Sequence, residues 1–167
     1  MNARYRFRFT FIVLLPLLIA CGRPASYALG EDPVAAASPA SQEKLKAEIL
    51  ALINDYRNEK NLQPLRAVGF IETVAEKHSR NMASGRVRFG HDGFDDRYAE
   101  TSKGIKGMQG MAENVAYGKL SAQRVVDLWL NSTGHRKNIE GKYTHTGIGI
   151  AVNDKGQLYF TQLFVLQ

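Results

Sequence analysis

The chain has 167 residues, 44% hydrophobic and 23% charged, which fits one ordinary globular domain plus extras. Its formal charge of +6 overstates any case for nucleic-acid binding: the first 20 residues hold three arginines and no acid, and beyond them 19 basic residues face 16 acidic ones, a balance of +3. A lone cysteine excludes an internal disulfide, so packing alone must hold the domain together.

Arg4, Arg6 and Arg8 precede an uncharged apolar run from Phe9 to Ala20, followed by Cys21. That is the plan of a secretory signal, too short to span a bilayer as a stable helix. Leu18-Ile19-Ala20-Cys21 resembles a bacterial lipobox, which implies cleavage before Cys21 and its acylation as the mature N-terminus. The alternative is an ordinary signal peptide with an incidental cysteine. Several acyl chains bury enough CH₂ groups for firm membrane anchoring. Gly22 in place of aspartate resembles the signal for outer-membrane sorting if the source is Gram-negative. Residues 21–40, with Pro24, Pro33 and Pro39, read as a flexible tether, and residues 41–167 as one domain. A mildly basic domain on a cell envelope could touch anionic lipid or glycan.

The first expected helix is capped by Ser41 and buries Leu45, Ile49, Leu52, Ile53 and Tyr56 at helical spacing. Pro64 breaks that pattern. A second helix, about Phe70 to Ser84, carries Ile71, Val74, Ala75, His78 and Met82 on one face and stops at Gly85. His78 on that stripe reads as a core histidine satisfied by a polar neighbour. Arg86 to His91 reads as a short edge strand, and Asp92 to Gln109 as loop or weak helix. Met111 to Tyr117 suits a buried strand interrupted by Glu113 and Asn114. A third helix, capped by Ser121, buries Val125, Leu128 and Trp129. Thr146 to Val152 and Gln157 to Val165 form a hairpin about Asn153-Asp154-Lys155-Gly156. Helices first and antiparallel strands last give an α+β class, with helices on both faces of a small sheet.

Three places break the local rules. Gly90-His91 follows the strand-like segment, Glu113 interrupts an apolar run, and Gly134-His135 follows the Trp129 helix. A buried carboxylate is costly unless paired. Two histidines and a carboxylate supply metal-ligand or acid–base chemistry if the fold brings them together; spacing alone does not show that it does.

The ordered motifs Asn54-Asp55-Tyr56-Arg57, Leu62-Gln63-Pro64-Leu65, Ala75-Glu76-Lys77-His78-Ser79, Phe89-Gly90-His91, Ala112-Glu113-Asn114-Val115-Ala116, Trp129 to Ile139, Gly147-Ile148-Gly149 and Tyr159 to Gln162 resemble the bacterial branch of the CAP or SCP superfamily (cysteine-rich secretory, antigen 5, pathogenesis-related). The resemblance covers essentially everything after the tether and implies an α–β–α sandwich with a small central antiparallel sheet. It also implies a cavity in which His91, Glu113 and His135 match three of four family site residues. The place of the family's fourth acid falls near Asn131 or Ser132, so the tetrad is incomplete. The ligand-lining set is then His91, Glu113, His135 and Ser132, with His91 and His135 able to hold a divalent cation such as zinc in a sparse, open site. Ser132 does not fit a Gly-x-Ser-x-Gly nucleophile elbow and reads instead as the cap of the turn to Ile139. His145 could approach the same cavity, but it reads better as a loop histidine.

Two function classes remain. In one, the domain is a non-catalytic envelope module that binds lipid, sterol, glycan or protein and is held at the membrane through acylated Cys21. In the other, it is a weak metal-assisted hydrolase or peptidase working through His91, Glu113 and His135. A purely structural envelope protein is a third reading.

Overall fold

The computed structural model describes residues 38–167; the expected signal segment, Cys21 and most of the expected tether lie outside them. Helix α1 (Pro39–Glu59) starts earlier than the expected Ser41 cap. Ser38 is the cap, its side chain accepting from the Ser41 N–H, and Pro39 suits the first helical position, where its missing N–H has no intrahelical partner to lose. Leu45, Ile49 and Ile53 are buried, and Leu52 and Tyr56 pack partly against them. The chain leaves α1 through Asn61 at φ 57°, a left-handed position that asparagine tolerates. Helix α2 (Gly69–Ala83) buries the expected stripe, His78 included, and stops before Gly85 at φ 70°.

Arg86 to His91 is not a strand. The Arg86 and Val87 N–H groups both turn back to the Asn81 carbonyl, and Gly85, Gly90 and Gly93 all have positive φ. Glycines that turn the backbone every few residues override the β preference of Val87 and Phe89. The following stretch forms a regular helix, α3 (Phe94–Gly104), with Asp95 and Asp96 in its first turn, where carboxylates favour the helix N-terminus. Helix α4 (Ala122–Asn131) is capped by the Ser121 side chain as expected. Helix α5 (Thr133–Ile139) follows directly. Ser132 occupies its cap position, but the hydroxyl makes no cap hydrogen bond. The junction is held by backbone instead: the Ser132 N–H donates to Trp129 O and its carbonyl accepts from the Arg136 N–H.

The sheet contains β1 (Arg66–Ala67), β2 (Gly110–Gly118), β3 (His145–Val152) and β4 (Leu158–Leu166), in the order β1-β3-β4-β2. The β3–β4 hairpin and β2 are antiparallel, and the two-residue β1 adds a parallel edge beside β3. A strand that short leaves no alternation to read in the sequence.

Alternation along β4 creates two cores. Leu158, Phe160 and Phe164 pack with Leu45, Ile49 and Ile53 of α1 and Val125 and Trp129 of α4. Leu163 and Val165 point the other way, against Ile71, Val74 and Ala75 of α2. The result is the expected α–β–α sandwich, and both cores draw only on residues from Leu45 to Val165. The glycines of Thr146-Gly-Ile-Gly-Ile-Ala have a specific reason: a Cβ at Gly147 would sit 2.2 Å from Glu72 N, and one at Gly149 2.1 Å from Glu76 N. Helix α2 lies almost on the backbone of β3. Among the described residues, no helix is long and apolar enough to cross a membrane.

Strand β2 is a sheet edge with outward-facing carbonyls, which buried side chains cover. Trp129 Nε1 donates to Val115 O at 3.1 Å, and Asn138 Nδ2 donates to Glu113 O at 3.1 Å. Covering an edge in this way removes a template for unwanted strand pairing.

Candidate functional site

Glu113 sits at the middle of β2, only 5% exposed. Successive residues of β2 face opposite layers, so Glu113 points toward α2 and α3 while Asn114 points toward α5. Arg97, from α3, meets the carboxylate as a fork: Nε lies 2.6 Å from Oε2 and Nη2 lies 2.8 Å from Oε1. Bidentate pairs of this type combine charge with fixed geometry. The same guanidinium donates to the Asp92 and His91 carbonyls at 2.9 and 3.3 Å. Arg97 therefore fastens the loop that carries His91 to the strand that carries Glu113.

His91 Nδ1 lies 2.8 Å from Glu113 Oε1. A carboxylate forked by a guanidinium offers only acceptors, so the shared hydrogen belongs on His91 Nδ1. In the neutral ring, Nε2 is then a lone pair, and the side chain is 51% exposed. A carboxylate that fixes the tautomer and direction of an imidazole is a common supporting arrangement at ligand and metal sites.

His78 closes the buried side of this cluster. Its Nε2 lies 2.9 Å from Gly90 O and 4.0 Å from Glu113 Oε1. The carbonyl can only accept, so Nε2 carries the hydrogen. Burial lowers the His78 pKa, with the Gly90 bond opposing that shift and the Arg97 charge adding to it. The core-histidine reading therefore describes the ring, whose polar neighbour is the backbone beside His91.

His135 arrives from the other layer. Asn114 Nδ2 donates to the His135 carbonyl at 3.1 Å, and Asn138 Nδ2 donates to Asn114 Oδ1 at 2.9 Å. This asparagine pair clamps α5 onto β2 and fixes where His135 emerges, half-buried. Burial, the larger cause, lowers the His135 pKa, and the His91 charge lowers it further. Ser132 is half-buried at the α4–α5 junction. His145 opens β3 rather than lying in a loop, and both its ring nitrogens are engaged, Nδ1 with Thr144 Oγ1 at 2.8 Å and Nε2 with Arg66 Nη2 at 3.0 Å.

The fold thus joins His91 and Glu113 directly, while His135 sits on α5, its carbonyl bonded to Asn114, the residue after Glu113 in β2. Sequence reasoning missed Arg97. The signal was indirect: a carboxylate inside an apolar strand demands a cation, but nothing in the spacing says which of the 22 basic residues supplies it. A cavity of about 240 Å³ lies between α2 and α3, lined by His78, Asn81, Asp92, Asp96 and Arg97 among others. His91, Glu113 and His135 do not line it. Both Glu113 oxygens are committed to Arg97 and His91, so the donors left for a cation are the two imidazoles. Among the described residues, no group of three or more His, Cys, Asp or Glu side chains is arranged to hold a metal ion.

An α–β–α sandwich whose edge strand presents a buried glutamate to an exposed histidine is the arrangement that the CAP resemblance implies. Comparison with known proteins agrees: the cysteine-rich secretory protein family (CAP) matches residues 50–164, and the chain belongs to that family. The Bacillus subtilis protein YkwD is 29% identical over 133 residues, covering 77% of this chain and 49% of its own length. The chain thus spans about half of that curated relative. Among solved structures, an extracellular SCP-domain protein from Bacillus anthracis is 29% identical with a TM-score of 0.63, covering 78% of this chain and 44% of the other. An outer surface protein of Borrelia burgdorferi, 21% identical with a TM-score of 0.64, covers 75% of this chain and 95% of its own, and shows the shared fold.

Proposed function

We propose that this is a non-catalytic binding module of the bacterial cell envelope, whose His91–Glu113–His135 site, with Ser132 at its border, receives a lipid, sterol, glycan or protein ligand. The observation that carries the reading is the Glu113 carboxylate. A general base needs an oxygen within reach of a substrate proton, and here Arg97 and His91 bond both oxygens of a side chain only 1% exposed. Glu113 orients His91 rather than acting on a substrate.

The exposed His91 edge would supply a lone-pair donor, and His135 a second imidazole, for a ligand hydroxyl, amide or divalent cation. Two imidazoles with water completing the shell would hold zinc weakly, in an open site. The location follows from the N-terminus: a signal segment and acylation at Cys21 would place the domain outside the cytoplasm, tethered to a membrane. The relatives described as an extracellular and an outer surface protein favour the same location.

The test compares the domain with His91→Ala and His135→Ala variants in a broad hydrolase screen, in ligand-binding screens and in zinc titration calorimetry. Ligand or metal binding lost in both variants, without turnover, supports the reading. Turnover in the parent that both substitutions abolish would replace it with metal-assisted hydrolysis. For the anchor, fatty-acid labelling must disappear in Cys21→Ala; equal labelling refutes it.

A further inference from the structure

Phe89, Tyr117 and Tyr159 form a continuous row of rings across the end of the sheet beside His91. Phe89 packs tilted on Tyr117 at 4.7 Å between centroids, and Tyr117 stacks on Tyr159 at 5.7 Å. Phe89 is 46% exposed and Tyr117 49%, among the most exposed large hydrophobic side chains described. None of the three belongs to either core.

The row is bordered by three cations and two acids, Asp92 and Asp154. Arg88 precedes Phe89, Lys119 lies two residues after Tyr117, and Lys155 lies in the turn before Tyr159. Arg88 reaches Asp92 at 3.3 Å, but that pair is exposed on both sides and weak. Lys119 and Lys155 are exposed, and among the described residues neither forms an ion pair. The stem of Lys119 runs toward the β3–β4 turn, its Cε 3.9 Å from where a Cβ on Gly156 would lie, so both ammonium groups belong to the same end of the sheet.

The geometry points to a docking surface for an anionic lipid bilayer, and we infer that this end of the domain lies against the membrane. Ring packing favours this occupant over a glycan. A sugar platform needs open ring faces, whereas the Tyr117 ring is packed against Phe89 and against Tyr159. Rings with polar tips suit the boundary between headgroups and hydrocarbon, where tyrosine is enriched. Unpaired lysines beside them complement anionic headgroups. The inference goes beyond the reading of the His91–Glu113–His135 site and depends on neither its ligand nor the acyl anchor.

The test uses the chain without residues 1–20 and with Cys21→Ala, so that only the domain face can hold it; both cores lie within Leu45–Val165. Flotation with phosphatidylglycerol vesicles should carry the protein, high salt should release it, and phosphatidylcholine vesicles should carry far less. Lys119→Glu/Lys155→Glu and Phe89→Ser/Tyr117→Ser should each lower partitioning about tenfold or more, with the fold retained by circular dichroism because none of the four side chains belongs to either core. Absence of flotation, equal flotation on both lipids, or insensitivity to either pair of substitutions overturns the inference. So does retention on a polysaccharide matrix, but not on vesicles, that the aromatic pair abolishes.

Discussion

Arg97 and Glu113 form a buried bidentate pair joining α3 to the edge strand β2, with Nε 2.6 Å from Oε2 and Nη2 2.8 Å from Oε1. The pair makes a carboxylate tolerable in an apolar strand and points it at His91. Breaking one side should cost far more than removing both. Arg97→Met is expected to destabilise by about 3–5 kcal/mol by leaving Glu113 buried and unpaired, whereas Arg97→Met/Glu113→Leu should recover most of that loss. Urea denaturation of the three proteins measures the difference.

Arg57 is the second buried arginine, 1% exposed, and among the described residues it forms no ion pair with a carboxylate. Its guanidinium gathers the carbonyls of Gln63, Ile139, Gly141 and Tyr143, which ties α1 to the segment after α5. Burial lowers its pKa. Arg57→Ala should cost about 3 kcal/mol or more, since several buried acceptors lose a charged donor at once. Arg57→Lys keeps the charge but not the fork and should fall in between; chemical denaturation gives the order.

The close approach of α2 to β3 makes a steric prediction. Gly149→Ala places a methyl group 2.1 Å from Glu76 N, where backbone cannot yield cheaply. A loss of about 1–3 kcal/mol or more is expected, read as a lower melting temperature. Ala151→Gly, on the same strand, should do much less.

Much of this architecture was legible because periodicity reports burial. The stripe Leu45, Ile49, Ile53 and the alternation of Ile148, Ile150 and Val152 announced their elements before any contact was known. Arg86 to His91 misled because Val87 and Phe89 favour strands, while positive φ at the surrounding glycines decides the path. At the site, His91, Glu113 and His135 stood out as polar residues at places that disfavour them. Arg97 did not, because its partner is 16 residues away and an arginine on a helix is ordinarily solvated. Ser132 was read as a hydroxyl cap from its position, but the two helices meeting there satisfy its backbone first.

His78 sets a pH dependence. Burial, the largest cause, holds its pKa below the ordinary 6.5, and His135 is lowered for the same reason. Between the folded value and 6.5 the unfolded chain binds more protons, so stability rises with pH through that window. Their contribution is complete above 6.5 and is lost as pH falls below it, levelling off beneath the folded pKa. Urea midpoints should therefore drop from pH 7 toward pH 5, and His78→Gln should flatten that slope.

The central claim is that Glu113 serves as a fixed acceptor that orients His91 and is not a free base. The most direct measurement is the tautomer of His91, read from long-range proton–nitrogen correlations on nitrogen-15-labelled protein at a pH where the ring is neutral. The account predicts hydrogen on Nδ1 and a bare Nε2, with that preference lost in Glu113→Ala. Hydrogen on Nε2 in the parent protein, or a tautomer indifferent to Glu113, would contradict it.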